Sequence, residues 1–272
     1  MLSKIKFHID GARCELDVEI LEKKPCAARR GEQFFSGGLT VDLAPAPDVV
    51  QELSICANIR RGALGALYPL PAFIMEGDTP AFLYLIPNGL SDPEHPEWGS
   101  WGGRYVQQSP GMGLFADTKD MFERDGALWA GNQAGVYRWR GTFQNDFAAR
   151  IGWTLSPDPA QANHAPLAVV QGVSGRGVVL LVAHGGQTIT LDASGSRDPD
   201  GDAITAHWWQ YREVGGIPLQ PAATMATPDA MVTQVTLPTV TAPATLHFIL
   251  EMTDRGAPAL TSYRRVIVDL HP

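Results

Sequence analysis

From residue 178 to residue 270 the chain repeats one pattern: a short β-branched or aromatic run, then a stretch rich in Gly, Pro and Asp. The runs are Val178 to Val182, Thr188 to Leu191, Ala206 to Tyr211, Val232 to Leu237, Thr245 to Thr253 and Tyr263 to Leu270. Short strands spaced by turn formers over about 100 residues predict an Ig-like β-sandwich. Trp208 and Trp209 are adjacent inside one run, so a strand sends them to opposite faces. Trp208 is assigned to the core, and Trp209 is then exposed or covered by a neighbouring element.

Residues 154–166, TLSPDPAQANHAP, hold three prolines and no aromatic residue, and mark the clearest linker in the chain. Upstream of it the most informative stretch is EGDTPAFLYLIPNGLSDPEHPEWGSWGGRY, from Glu76 to Tyr105. The apolar run Ala81 to Ile86 reads as a buried strand or a short buried helix, which periodicity alone does not separate. The segment after it is dense in Gly, Pro, Trp and acid. Trp98 and Trp101 argue that it is ordered, because disordered segments are poor in aromatic residues. Asp117 to Arg124 is compatible with a short helix entered from Asp117. Thr142 to Ile151 predicts a helix with Phe143, Phe147 and Ile151 on one face.

These blocks resemble a bacterial cellulose-binding, nucleoside-hydrolase-like family. The resemblance lies in LGALYP (Leu64 to Pro69), EGDTPAFLYLIPNGL (Glu76 to Leu90), PEHPEWGSWGGRY (Pro93 to Tyr105), FQNDFAARIGW (Phe143 to Trp153) and LDASGSRDPDGD (Leu191 to Asp202), in that order along the chain. The last block also resembles polycystic-kidney-disease-type Ig-like repeats. The resemblance implies an α/β domain related to nucleoside hydrolases followed by an Ig-like sandwich, in proteins that are typically exported. Nucleoside hydrolases carry a D-x-D-x-x-x-D-D calcium cluster near the start of their α/β domain, and residues 1–60 hold none. The expected fold is therefore α/β (partial nucleoside-hydrolase-like) plus an all-β Ig-like sandwich. An atypical segment with a β-hairpin spans 1–60, the partial domain 61–153, and the sandwich 167–272.

The first 60 residues have their own signals. Ile5, Phe7 and Ile9 alternate with polar residues, Asp10-Gly11 supplies a turn, and Cys14, Leu16, Val18 and Ile20 resume the alternation, which predicts a hairpin over residues 5–21. Leu39, Val41 and Leu43 suggest a third strand, and residues 49–59 a helix capped by Asp48. Cys14, Cys26 and Cys56 have no metal-site spacing and read as buried thiols. No signal peptide is read at the N-terminus.

A formal net charge of -8 disfavours nucleic acid as a partner, since phosphate binding requires a basic face. No apolar run approaches the roughly 18 residues of a membrane span. A neutral polysaccharide or another protein fits better. The apolar stretches of residues 66–75 and 81–86 need a cover, supplied by the hairpin or by a second copy of the chain. A homo-oligomer with residues 1–86 supplying most of its interface is the expectation.

Three groups carry the candidate chemistry. Glu76, Asp78, Asp92, Glu94 and Glu97 are the candidate catalytic acids, because glycosidases need two carboxyls across a sugar bond. Asp78 also matches, by position, the late acidic residue that completes the nucleoside-hydrolase calcium site. The competing reading is solvated loop acids. Trp98, Trp101, Arg104 and Tyr105 are the candidate sugar-binding residues: aromatic faces pack on the C–H faces of pyranoses while Arg bonds hydroxyls. The competing reading is core filling. Asp198, Asp200 and Asp202 at i, i+2, i+4 around Gly201 suggest a calcium site, with Asp192 or Asp254 nearby, or a plain Asx-rich turn. No G-x-S-x-G elbow and no H-x-x-x-H pair occurs. The function expected is binding of, or action on, a cellulose-like β-glucan, by a glycoside-hydrolase-like protein, a non-catalytic binding module or a structural remnant of an enzyme.

Overall fold

The computed structural model describes residues 2–9, 12–19, 58–68, 79–109, 111–124, 126–214 and 219–272. The sequence expectations for a strand over 39–43 and for most of the helix over 49–59 lie outside them, as do Glu76 and Asp78. Strands β1 (Leu2–Ile9) and β2 (Ala12–Glu19) form the expected hairpin, with Ile5 opposite Leu16, Phe7 opposite Cys14 and Ile9 opposite Ala12. Residues 10–11, which join the two strands, lie outside the described residues.

Among the described residues of 58–153 helices are present but no parallel sheet is. Their described strands pair only as antiparallel two-stranded ribbons: β3 (Tyr105–Gln107) with β4 (Phe115–Asp117), and β5 (Asp120–Arg124) with β6 (Ala127–Gly131). Parallel pairing needs a crossover of a dozen or more residues, and the links within these ribbons are far shorter. Asp117 ends β4 and residues 120–124 form β5, so this stretch is not the helix that Asp117 suggested. Gly126, with φ 75°, lies in the short link between Arg124 and its partner Ala127, where a glycine accepts the reversal that a helix would not make. The stretch after Pro80 resolves as a short helix, Thr79–Tyr84, with Leu83 buried and Phe82 exposed. The longest helix runs over Arg140–Trp153, as the Phe143, Phe147, Ile151 spacing predicts.

Beyond residue 178 every expected strand is present. A four-stranded sheet has the order β7 (Val179–His184), β13 (Thr261–His271), β12 (Ala244–Asp254), β9 (Ile204–Gln210). A three-stranded sheet joins β10 (Thr224–Met225), β11 (Val232–Thr236) and β8 (Thr188–Asp192). The core between the sheets is built by one parity of each long strand: Ala206 and Trp208, Phe248 and Leu250, Val266 and Val268, against Leu191 and Val235.

The other parity is also buried. Tyr211, Ile249 and Tyr263 pack with Leu83, Leu90, Trp101 and Trp139 from the upstream segment. The outer face is therefore covered over the middle of β12 and β13 and the end of β9, while Leu180 and Val182 of β7 stay exposed, and Trp209 takes the covered alternative of the two that its position allowed. Residues 154–166 are fastened as well: the Asn163 amide donates to Asp254 Oδ2 at 3.1 Å and to the Pro258 carbonyl at 2.7 Å.

Two-faced burial has a measurable consequence. Leu250→Ala and Ile249→Ala, one on each face, are each expected to cost about 2–5 kcal/mol in urea unfolding, as for other buried aliphatic truncations. A cost for Ile249→Ala in the ±0.5 kcal/mol range of surface changes contradicts the covered outer face.

Candidate functional site

The tryptophan segment is a cap folded over the outer face of the four-stranded sheet. Its tip is a tight turn in which Ser100 and Gly103 exchange backbone hydrogen bonds of 2.9 and 3.0 Å. That turn drives Trp101 into the sheet, where it is 1% exposed and its indole N–H donates to the Tyr263 hydroxyl at 3.1 Å. The approach is close at Gly89, where φ is 94° and a Cβ would meet the Tyr263 carbonyl oxygen at 2.1 Å. Tyr263 N–H in turn donates to the Asn88 carbonyl at 3.0 Å.

Arg265 on β13 fixes the cap. It is 1% exposed, and its Nη2 donates to the carbonyls of Leu90 (3.0 Å), Trp98 (3.0 Å) and Gly99 (3.2 Å). Burial pulls its pKa down to about 10. Its Nη1 faces His247 Nδ1 at 3.3 Å. An arginine can only donate, so His247 accepts and is neutral. Burial, then Arg265 and His95, push the His247 pKa down to about 3.

A second lock lies on the β5 side. Asp120, fully buried, accepts from Arg104 Nε at 2.7 Å and from the Tyr211 hydroxyl at 2.5 Å. Burial and the Asp120 carboxylate raise the Tyr211 pKa, opposed by Arg138 and Arg104. Arg138 donates to Glu213 Oε1 at 2.6 Å.

The sequence-derived candidates separate accordingly. Trp101 and Arg104 are inside the seam between cap and sandwich, where their ring face and guanidinium are engaged. Tyr105 is half-buried, and its hydroxyl donates to the Gly102 carbonyl at 2.6 Å. Asp92 Oδ1 accepts from Glu94 N–H at 2.9 Å, closing a local turn. Trp98 and Glu97 do meet in a cleft. His95 stacks on Trp98 with centroids 3.8 Å apart and planes 5° apart, and His95 Nδ1 donates to Glu97 Oε1 at 3.0 Å. Across from them stand Leu180, Ile267, Thr245, His247 and Gln220, enclosing about 660 Å³. That volume is in the range of about 300–1,000 Å³ typical of small-molecule sites.

The aspartate turn does not gather its three carboxylates. Asp198 Oδ1 accepts from the backbone N–H of Asp200 and Asp202 at 2.8 and 3.2 Å, while Asp200 turns to His164, accepting from its backbone N–H at 2.7 Å. Among the described residues no three His, Cys, Asp or Glu side chains are grouped to hold a metal ion. The oxygens nearest to a hard-cation set are Asp198 Oδ2 and Asn163 Oδ1, both buried without a donor, beside the Asp254 carboxylate. Burial raises the Asp254 pKa, and Asp198 adds to the rise.

Sequence reasoning assigned no role to Arg265, His247, Asp120 or Tyr211. One signal was available: Arg264 and Arg265 sit inside the apolar run from Tyr263 to Leu270, and a charge in a buried strand needs a partner.

Comparison with known proteins follows the same division of the chain. Residues 188–270 match the family model described as cellulose-binding protein Sde0182, C-terminal domain. Residues 36–105 match the model described as cellulose-binding Sde182, nucleoside hydrolase-like domain. The structure of a nucleoside hydrolase-related hypothetical protein from Saccharophagus degradans, described as associated with carbohydrate metabolism, is 32% identical, with a TM-score of 0.66 over 80% of this chain. The match spans 53% of that protein, so this chain corresponds to about half its length. The PKD domain from KIAA 1837 protein is 22% identical over 35% of this chain and 83% of that one, with a TM-score of 0.26, too low to carry a statement about fold. No curated protein matches.

The His247 environment fixes a pH dependence. Its folded pKa of about 3 lies below the ordinary 6.5, so between those values the unfolded chain binds the proton and the folded one does not. Stability contributed by neutral His247 is complete above pH 6.5 and is lost as pH falls, with a slope of up to about 1.4 kcal/mol per pH unit. His247→Asn, which keeps an acceptor for Arg265, is expected to flatten unfolding free energy against pH in that window. An unchanged slope contradicts the assignment.

Proposed function

The chain belongs to the bacterial cellulose-binding, nucleoside-hydrolase-like family, as a counterpart of its C-terminal part, and from that premise we propose that it binds a neutral β-glucan of the cellulose type without cleaving it. The observation that carries this reading is the His95–Trp98 stack forming one wall of the cleft against β12 and β13. The outer face of His95, whose side chain is 43% exposed, continues the flat surface of the indole beneath it. Pyranose C–H faces pack on such surfaces, and Glu97, Gln220 and Thr245 supply polar groups for hydroxyls. Leu180 and Ile267 complete an apolar wall.

Two features favour binding over hydrolysis. Glycosidases flank the scissile bond with a pair of carboxyls. Among the described residues Glu97 is the only carboxylate lining this cleft. Asp92 and Glu94 are tied into a turn beside it. The formal net charge of -8 and the absence of Lys or Arg from the described lining disfavour anionic polysaccharides. Cap and sandwich form the site jointly, so neither half alone carries it.

The test is affinity for insoluble cellulose and for cello-oligosaccharides. His95→Ala and Trp98→Ala are each expected to weaken binding by about 1–3 kcal/mol, from the ring area a sugar covers. p-Nitrophenyl glycosides are expected to remain intact under the same conditions. Unchanged affinity in both variants, with unchanged melting, overturns the cleft as the binding surface. Turnover of a glycoside overturns the non-catalytic reading.

A further inference from the structure

A second cleft opens over the other edge of the four-stranded sheet, where β5 of the cap passes β9. It encloses about 390 Å³. Phe122 from β5 and Trp209 from β9 are its aromatic walls. The Arg138 guanidinium lies between them, 5.9 Å from the Phe122 centroid and 5.1 Å from the Trp209 centroid. Two carboxylates are held in place around it. Glu213 Oε1 accepts from Arg138 and from Met121 N–H, at 2.6 and 3.2 Å. Glu251 Oε1 accepts from the Trp209 indole N–H at 2.9 Å. Trp139 also lines the cleft and is 2% exposed.

We propose that this cleft is a second saccharide subsite, taking a neutral sugar unit of the same polysaccharide that the His95–Trp98 cleft binds. The chemistry selects the ligand class. Aromatic walls with fixed carboxylates and a guanidinium match a ring that is apolar on its faces and hydroxylated at its rim. Charge disfavours the anionic alternatives: among the described lining residues Glu123, Glu213 and Glu251 stand against Arg138, with His207 drawn to Asp229 at 2.6 Å. Phosphates, uronates and sulfated sugars meet net repulsion there. The sheet order β7-β13-β12-β9 puts the two clefts toward opposite edges of one face, so a polysaccharide that reaches both gains by effective concentration.

The inference rests on the reading that the chain binds polysaccharide, and the test separates the two. Isothermal titration of the full chain with cellotetraose is compared for the wild type, Trp98→Ala, and Trp98→Ala combined with Phe122→Ala or with Glu251→Gln. The glutamine keeps an acceptor for the Trp209 indole, so it reports on binding if Phe122→Ala disturbs folding. The expected result is binding that survives Trp98→Ala at one site per chain and is weakened about tenfold or more by each second change. Oligogalacturonate is expected not to compete. Loss of all binding in Trp98→Ala alone, or survival unaltered by both second changes, overturns the second subsite and leaves the first standing. No binding by the wild type overturns both.

Discussion

A buried guanidinium whose hydrogen bonds run to backbone carbonyls and a histidine sets the shape of this molecule. Arg265 projects from the outer face of β13 into the seam, and its charge is stabilised by the carbonyl dipoles of Leu90, Trp98 and Gly99. Such an arrangement is costly to assemble and costlier to break, because the charge has left water and depends on several fixed acceptors together. The three carbonyls span residues 90–99, so meeting that one requirement fixes the whole segment on the sheet. Trp98, His95 and the wall of the first cleft follow from that placement. Neutral His247 follows too, since Arg265 supplies its hydrogen bond and opposes its protonation.

The second lock works by a different balance. Asp120 has left water entirely, with Arg104 and the Tyr211 hydroxyl as its direct partners and Arg138 3.9 Å away. Arg104 and Asp120 belong to the cap and Tyr211 to the sandwich, so the cluster bridges the seam. Arg138 and Glu213 bridge it again. Charge neutralisation among these groups offsets the desolvation that Arg265 meets with dipoles. Between the two locks the contact is aromatic and aliphatic: Trp101 on Tyr263 at 6.1 Å and 85°, Trp139 on Tyr263 at 5.4 Å and 87°. Both clefts lie where this covering ends, one toward each edge of the sheet, which is why each is lined by residues of both parts of the chain.

The sandwich was legible because its strands obey a local rule. Alternation and turn residues place each of the six runs, and the Trp208-Trp209 pair places one indole on each face of its strand without saying whether the second is covered. The cap was legible as ordered and as part of a family, but its role was not. Trp101 and Arg104 were open to two readings, ligand binding or core filling, because aromatic and basic side chains in a Gly-rich loop are compatible with either. Their burial depends on Tyr263 and Asp120, the first 162 residues away from Trp101 along the chain, and no local pattern encodes such a distance. Strand β5 shows the same limit at short range. Its residues permit a helix, and the short link at Gly126 together with the Asp120 anchor decides for a strand, tertiary contacts overriding weak propensity.

The account stands on Arg265 as the residue that joins cap and sandwich, and Arg265→Met, which keeps apolar bulk and removes the donors, tests it most directly. Unfolding is followed by tryptophan emission and by far-ultraviolet circular dichroism on the same samples. The expected result is a loss of stability on the order of 3–5 kcal/mol, with carbonyls left buried and unpaired. A red-shifted native emission, as Trp98 and its neighbours meet water, should accompany it. A variant with the wild-type midpoint and the wild-type emission would show that the cap is held by its apolar contacts alone, and would contradict the central role given to the buried charge.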